Sequence, residues 1–254
     1  MINILYEDNH LLVVEKPVNM LSQSDITGDE DLLSLLKEDL KKRYNKPGQA
    51  YLGLVHRLDR PVGGVMVFAK TSKAASRLSE QIRNRSFEKN YLAVVHGKPR
   101  NPKDILLHYL MKDEKRNKVY VVKNNKDISM RNFGINNNMH PIYNSGGGKP
   151  KEALLEYEVL ETREDLSLVQ IKLFTGRPHQ IRVQFAAVGN PLYGDKKYSE
   201  RFCKNGEQLA LWSNKIAFEH PVKKEKVEFS SSPPNIYPWN IFMEVKHVTK
   251  EMKN

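Results

Sequence analysis

At 254 residues the chain is long enough to bury a proper core, as one large domain or a domain of two lobes, so size is no obstacle to an enzyme. Lysine and arginine number 41 against 30 acidic residues, and the net charge of +11 favours a polyanionic partner, nucleic acid first, over an acidic lipid surface. Cys203 is the only cysteine, the eight histidines are scattered without an HxxxH pair, and no window approaches the roughly 18 apolar residues of a membrane span. The expectation is therefore a soluble, cytoplasmic protein in a reducing compartment, with no disulfide and no structural or catalytic metal.

In chain order, Ile4 to Tyr6 and Leu11 to Val14 are short apolar runs around the turn chemistry of Glu7-Asp8-Asn9-His10, which predicts a hairpin ending at Lys16-Pro17. Leu32, Leu33, Leu36, Leu40 and Tyr44 recur at helical spacing, and Pro47-Gly48 stops that helix. Tyr51 to Val55 and Val65 to Ala69 read as strands, the second a continuous apolar run of the kind buried on both faces. Between them lies His56-Arg57-Leu58-Asp59-Arg60, one carboxylate among basic side chains, followed by Pro61 and by Gly63-Gly64, which permits close backbone approach. That is a rigid mount for a side chain.

Thr71 is placed to cap a helix running to about Arg85, with Ala74, Ala75, Leu78 and Ile82 as its apolar stripe. Phe87 to His96 reads as a strand that puts Tyr91 on the face of Phe87, Ala93 and Val95, at least half buried. Ile105 to Leu110 and Val119 to Val122 suit an exposed strand pair or loop, and residues 130–150, rich in Asn and Gly, read as a flexible insertion. Gly146-Gly147-Gly148-Lys149 lacks the first glycine and the hydroxyl residue of a phosphate loop, which argues against nucleotide binding. Ala153 to Leu160 and Leu166 to Phe174 predict a second antiparallel pair. Pro178 could open a helix that Gly189 ends, with Ile181, Phe185 and Val188 on its apolar face and Arg182 beside it. Leu209 to Trp212, Ile216 to Phe218 and Val227 to Phe229 supply short core segments before a charged tail at 245–254. With no repeat and no dividing linker, residues 1–254 are expected to form a single domain.

An isolated Asp between arginines is ordinarily a structural ion pair. Here Lys16-Pro17-Val18-Asn19-Met20, the HRLDR run at 56–60, KNYLAVVHG at 89–97 and TGRPHQIRVQFAAVGNPLYGD at 175–195 together resemble, in order, the motifs of the RluA-type RNA pseudouridine synthases. The resemblance covers most of the chain. It implies an α+β fold, a central, mostly antiparallel mixed sheet flanked by helices with an RNA cleft across its middle. It also implies Asp59 as the catalytic aspartate, Tyr91 as the aromatic packing on the target base and Arg182 as the basic partner of Asp59. Arg60-Pro61-Val62-Gly63-Gly64 departs from the commoner threonine and serine form of the second motif, and Asn19 stands where glycine is frequent. The small N-terminal RNA-binding domain of many relatives is not expected here, and RNA selection falls to the catalytic module, its insertion or a partner.

The reaction implied is isomerisation of uridine to pseudouridine in ribosomal or transfer RNA, by a monomer without cofactor. Asp59 acts either as nucleophile or as base. A stacked uridine must be extruded, and Arg57 is a candidate for filling the vacated stack, or else for a phosphate or structural contact. His56, Arg60, Arg177, His179, Gln180 and Ile181 complete the expected RNA- or substrate-binding set, although His56, His179 and Gln180 could equally satisfy backbone groups. Asp195 reads as a turn residue; as a second catalytic carboxylate it would allow glycosidase-like hydrolysis. The alternative function is a catalytically inactive RNA-binding protein on the same fold.

Overall fold

The computed structural model describes residues 2–45, 47–122, 149–199, 201–204 and 206–242. Most of the expected insertion at 130–150, the glycines at 146–148 and the tail at 245–254 lie outside the described residues. Among the described residues, 2–91 with Trp212–Pro234 form one compact unit and Leu92–Leu211 with 235–242 a second.

The first unit opens with β1 (Asn3–Glu7) and β2 (Leu11–Lys16), an antiparallel hairpin. Its turn is set by Asp8, whose Oδ1 accepts the amides of His10 and Leu11, both at 2.7 Å. This side-chain mimicry of a backbone turn is what Asp offers at such positions. Helix α1 (Leu32–Arg43) starts where Asp31 Oδ1 accepts the Ser34 amide at 3.0 Å, and it buries Leu32, Leu36 and Leu40. Strand β3 (Gly53–Leu54) is short, and β4 (Gly63–Ala69) is buried at every position, as a run apolar on both faces requires. Helix α2 (Ser72–Arg83) is capped by the Thr71 hydroxyl, which accepts the Ala74 amide, and buries Ala74 and Leu78. Leu11, Val13, Val65, Val67, Leu78 and Phe218 meet in its core. Each such fully buried aliphatic or aromatic side chain contributes about 1.5–3 kcal/mol.

Strand β5 (Glu88–His96) begins in the first unit and continues in the second. In the second unit β6 (Lys103–Asp113) pairs antiparallel with β7 (Lys118–Val122) and with β8 (Lys151–Arg163), which pairs with β9 (Leu166–Leu173). Its strand order is β5-β9-β8-β6-β7, so among the described residues β7 lies at the edge. Helix α3 (Gln180–Ala187) lays Val183 on Leu110, Val119, Val121 and Ala153.

The chain returns to the first unit in β10 (Leu211–Glu219) and β11 (Lys226–Ser230), an antiparallel pair. A single turn of 3₁₀ helix follows at Trp239–Ile241. β10 meets β4 in parallel at Trp212↔Gly63 and Ser213↔Gly64, and antiparallel β2 lies on the other side of β4. The fold is the α+β class that the motifs imply, a mixed sheet with few helices.

Two elements differ from the sequence reading. The strand expected over Tyr51 to Val55 is ordered as a ladder only at Gly53 and Leu54, because beyond them the chain leaves β4 to form the loop of Asp59. Helix α3 begins at Gln180, not Pro178, because His179 takes the left-handed conformation, φ 51°. Val188 is 40% exposed and falls off the buried face, since the chain already exits there, with Gly189 at φ 88° and the Asn190 amide bonded to Phe185 O.

Candidate active site

One edge of β4 carries the loop that presents Asp59. Gly63 and Gly64 pair with β10, and Phe68 and Ala69 pair with β3; between them neither strand reaches. Side chains fill the gap. The Ser213 hydroxyl donates to Val65 O at 3.0 Å, and the Val67 amide donates to His56 Nε2 at 3.1 Å. Accepting through Nε2 fixes His56 as a neutral imidazole with its proton on Nδ1. Burial, with Lys89 nearby, pushes its pKa down to about 3.

The rest of the loop is pinned as tightly. The Ser22 hydroxyl donates to Leu58 O at 2.8 Å and accepts the Leu58 amide at 3.2 Å. The Val62 amide donates to Asp59 O at 2.9 Å, closing the turn through Arg60 and Pro61. Lys16, wholly buried, donates through Nζ to the carbonyls of Pro17 at 2.9 Å, Met20 at 2.6 Å and Arg60 at 3.1 Å. Its ammonium protons are thereby matched to acceptors. Burial nevertheless pushes its pKa down to about 7, against the upward pull of nearby Asp59. This lysine ties the first motif to the loop of the second; the sequence reading placed it at the end of the hairpin and the start of the first motif, without a role at the site.

Asp59 is half-buried, and Tyr91 is 6% exposed on β5. Burial and the Asp59 charge both raise the Tyr91 pKa, so the phenol stays protonated. The nearby Ser213 hydroxyl pulls weakly the other way, and that hydroxyl itself donates to Val65 O. Lys16, Asp59, Tyr91 and Ser213 thus belong to one constellation in the first unit. Arg57 is exposed, whereas Arg60 pairs with Asp29 at 2.5 Å and reaches Asn19 O at 3.3 Å.

The other expected residues lie in the second unit. Arg182, 6% exposed, donates from Nε to Asp195 Oδ2 at 2.8 Å and from Nη2 to Oδ1 at 2.7 Å, and Asp195 is 1% exposed. Asp195 is a turn residue as well, accepting the amides of Lys197 and Tyr198 on Oδ1. Gln180, 3% exposed, accepts from the Thr175 hydroxyl and the Arg177 amide and donates to Leu154 O, which commits its amide to the turn before α3. Ile181 is buried, Arg177 Nε donates to Glu152 O, and His179 Nδ1 lies 2.8 Å from Tyr198 Oη. Lys16, Ser213, Asp195 and Tyr198 were absent from the expected set. Of these, Lys16 and Asp195 carried a signal, the first as the opening residue of the first motif and the second as a carboxylate within the third.

Among the described residues no group of three His, Cys, Asp or Glu side chains could hold a metal ion, and no helix is long and apolar enough to cross a membrane. The RNA pseudouridylate synthase family profile matches residues 10–187, which span both Asp59 and Arg182. An uncharacterized RNA pseudouridine synthase of Aquifex aeolicus is 32% identical over 94% of this chain and 72% of its own length. The ribosomal large subunit pseudouridine synthase D of Zymomonas mobilis is 28% identical over 92% of this chain and 69% of its own. The solved human RNA pseudouridylate synthase domain containing 1 shares the fold, with a TM-score of 0.69 at 20% identity over 99% of this chain and 94% of that one. The chain belongs to the RNA pseudouridylate synthase family, isomerases that act on RNA.

Proposed function

We propose that this chain isomerises specific uridines in structured cytoplasmic RNA, with Asp59 as the catalytic carboxylate. The N1–C1′ glycosidic bond breaks, the uracil turns, C5 joins C1′, the C5 proton is released, and N1 takes up a proton. One observation carries the reading: Asp59 rides on a loop held by Lys16, Ser22 and His56, beside a phenol that stays protonated. Such preorganisation suits a carboxylate that must meet a reacting sugar or base at one geometry. Tyr91 offers its ring as the surface for the base. Arg182 serves as the basic partner of Asp59, and its rigid support by Asp195 suits that role. A uridine stacked in RNA is flipped out first, at a cost of a few kcal/mol, and Arg57, exposed on the same loop as Asp59, fills the stack. Arg60, Arg177 and His179 contribute to the RNA-facing surface. Large-subunit ribosomal RNA is the first target to examine, because the Zymomonas relative is named for it, and transfer RNA is the second.

The test is tritium release from C5 of uracil in labelled RNA drawn from cells lacking this protein. Wild type should release tritium, and Asp59→Ala should release none while keeping its fold and most of its RNA affinity. Full activity in Asp59→Ala would remove the assignment. Tight RNA binding without release by wild type would indicate a binding protein.

A further inference from the structure

Arg182 is held by more than its carboxylate. The Asp195 pair fixes the plane of the guanidinium, and the Tyr198 ring lies against it, with the Arg182 Cζ 5.3 Å from the ring centroid. Stacking on an aromatic face resists tilting of that plane, which a bidentate ion pair alone does not. Tyr198 is itself tethered at its far end. Its hydroxyl oxygen accepts the Val119 amide at 2.9 Å, an N–H on edge strand β7, and lies 2.8 Å from His179 Nδ1. The same turn is fastened to the β6–β7 hairpin by Lys197 Nζ, which donates to Asn117 O at 2.8 Å. The Tyr198 amide also returns to Asp195 Oδ1 at 3.2 Å, so one residue touches both supports of the guanidinium.

We propose that Tyr198 is a positioning residue of the isomerisation, its ring and hydroxyl together fixing the Arg182 guanidinium through the Asp195–Ser199 turn and the edge of β7. The inference rests on the reading in which Arg182 serves Asp59. Tyr198 acts on the reaction through Arg182, so its loss lowers turnover, not RNA capture. The hydroxyl and the ring make separable contributions: the hydroxyl anchors the turn to Val119 and His179, and the ring backs the guanidinium.

The experiment compares wild type, Tyr198→Phe and Tyr198→Ala by initial rates of tritium release against concentration of 5-tritiated RNA from cells lacking the protein. Tyr198→Phe should lower kcat about 3- to 10-fold and Tyr198→Ala about 30- to 100-fold, with KM within about twofold, as misplacement of a supporting group by a fraction of an ångström predicts. In ¹⁵N-labelled protein the Arg182 Nε–H signal, protected by Asp195, should exchange with water at least about 10-fold faster in Tyr198→Ala, because a guanidinium no longer backed by a ring opens its ion pair more often. If Tyr198→Ala does not fold, Tyr198→Phe carries the test, since it keeps the ring and loses only the hydroxyl. Folded variants with wild-type kcat would overturn the proposal, and so would a raised KM at unchanged kcat, which would make Tyr198 an RNA contact. Wild type that binds RNA without releasing tritium would overturn the functional reading itself, and the proposal with it, whereas failure confined to the Tyr198 variants leaves that reading intact.

Discussion

Gly64→Ala puts a tight backbone approach beside the candidate site under strain. Gly64 has φ +114°, and a Cβ there would stand 2.3 Å from Ser213 O, 2.7 Å from Ser213 N and 2.8 Å from Ser213 C. Those are main-chain atoms of β10 and cannot swing aside as a side-chain tip could. Holding a non-glycine residue in that conformation costs roughly 1–3 kcal/mol. Forcing two strands apart adds roughly 1–3 kcal/mol of overpacking, so about 2–6 kcal/mol of stability should be lost. Any shift of Ser213 also disturbs the side chain beside the Tyr91 phenol, and activity should fall beyond what the unfolded fraction explains. Urea unfolding followed by the fluorescence of Trp212, whose ring packs against Gly63, reads the first effect, and tritium release at matched folded concentration reads the second. Gly48→Ala is the comparison: nothing lies within 4 Å of its Cβ, and the change should alter stability by no more than about 1 kcal/mol. Equal unfolding midpoints for the two variants would refute the reasoning.

Lys16 makes stability depend on pH. With a folded pKa of about 7, below its unfolded value of about 10.4, the folded chain has shed a proton that the unfolded chain retains, so this contribution rises with pH by about 2 kcal/mol between pH 7 and 9 and is least favourable below 7. Urea midpoints of wild type and Lys16→Met across pH 6–9.5 should diverge in that sense, and a constant difference would contradict it. His56, with its pKa near 3, should show no imidazole titration between pH 5 and 8 in NMR spectra. His56→Ala should cost about 1–3 kcal/mol in urea unfolding by orphaning the Val67 amide, and a cost near zero would mean that water replaces the bond.

The parts legible in the sequence are those with local causes. Asp8 and Thr71 announce a turn and a helix start because their side chains serve amides two or three residues away. The unbroken apolar run in β4 declares burial on both faces; Tyr91 is buried as expected, but β5 is buried on both faces from Lys89 to Val95, which alternation alone did not foresee. What stayed hidden depends on residues distant in the chain. Nothing near Lys16 says that the Arg60 carbonyl, 44 positions on, will take its ammonium. Gly63-Gly64 signals a close approach, but not that Trp212 and Ser213 are the strand approached. Asp195 reads as a turn residue, which it is; its second task appears only when α3 turns Arg182 toward it. The short β3 and the late start of α3 escaped for the same reason: a hydrogen-bonding gap along β4 and a left-handed His179 are tertiary outcomes.

The parallel junction of β4 with β10 sets an order of events during synthesis. The Ser213 hydroxyl and the Val65 carbonyl that it meets are 148 positions apart, and the second unit's main segment, Leu92–Leu211, is made between them. At about 5–20 residues per second, β4 waits roughly 7–30 s after leaving the ribosome before its partner exists. Throughout that interval an apolar strand with an unpaired edge stands open, the kind of surface that invites aggregation or a chaperone. The second unit, uninterrupted from Leu92 to Leu211, has its strands complete before the first unit can close, so the nascent protein matures from its middle outward.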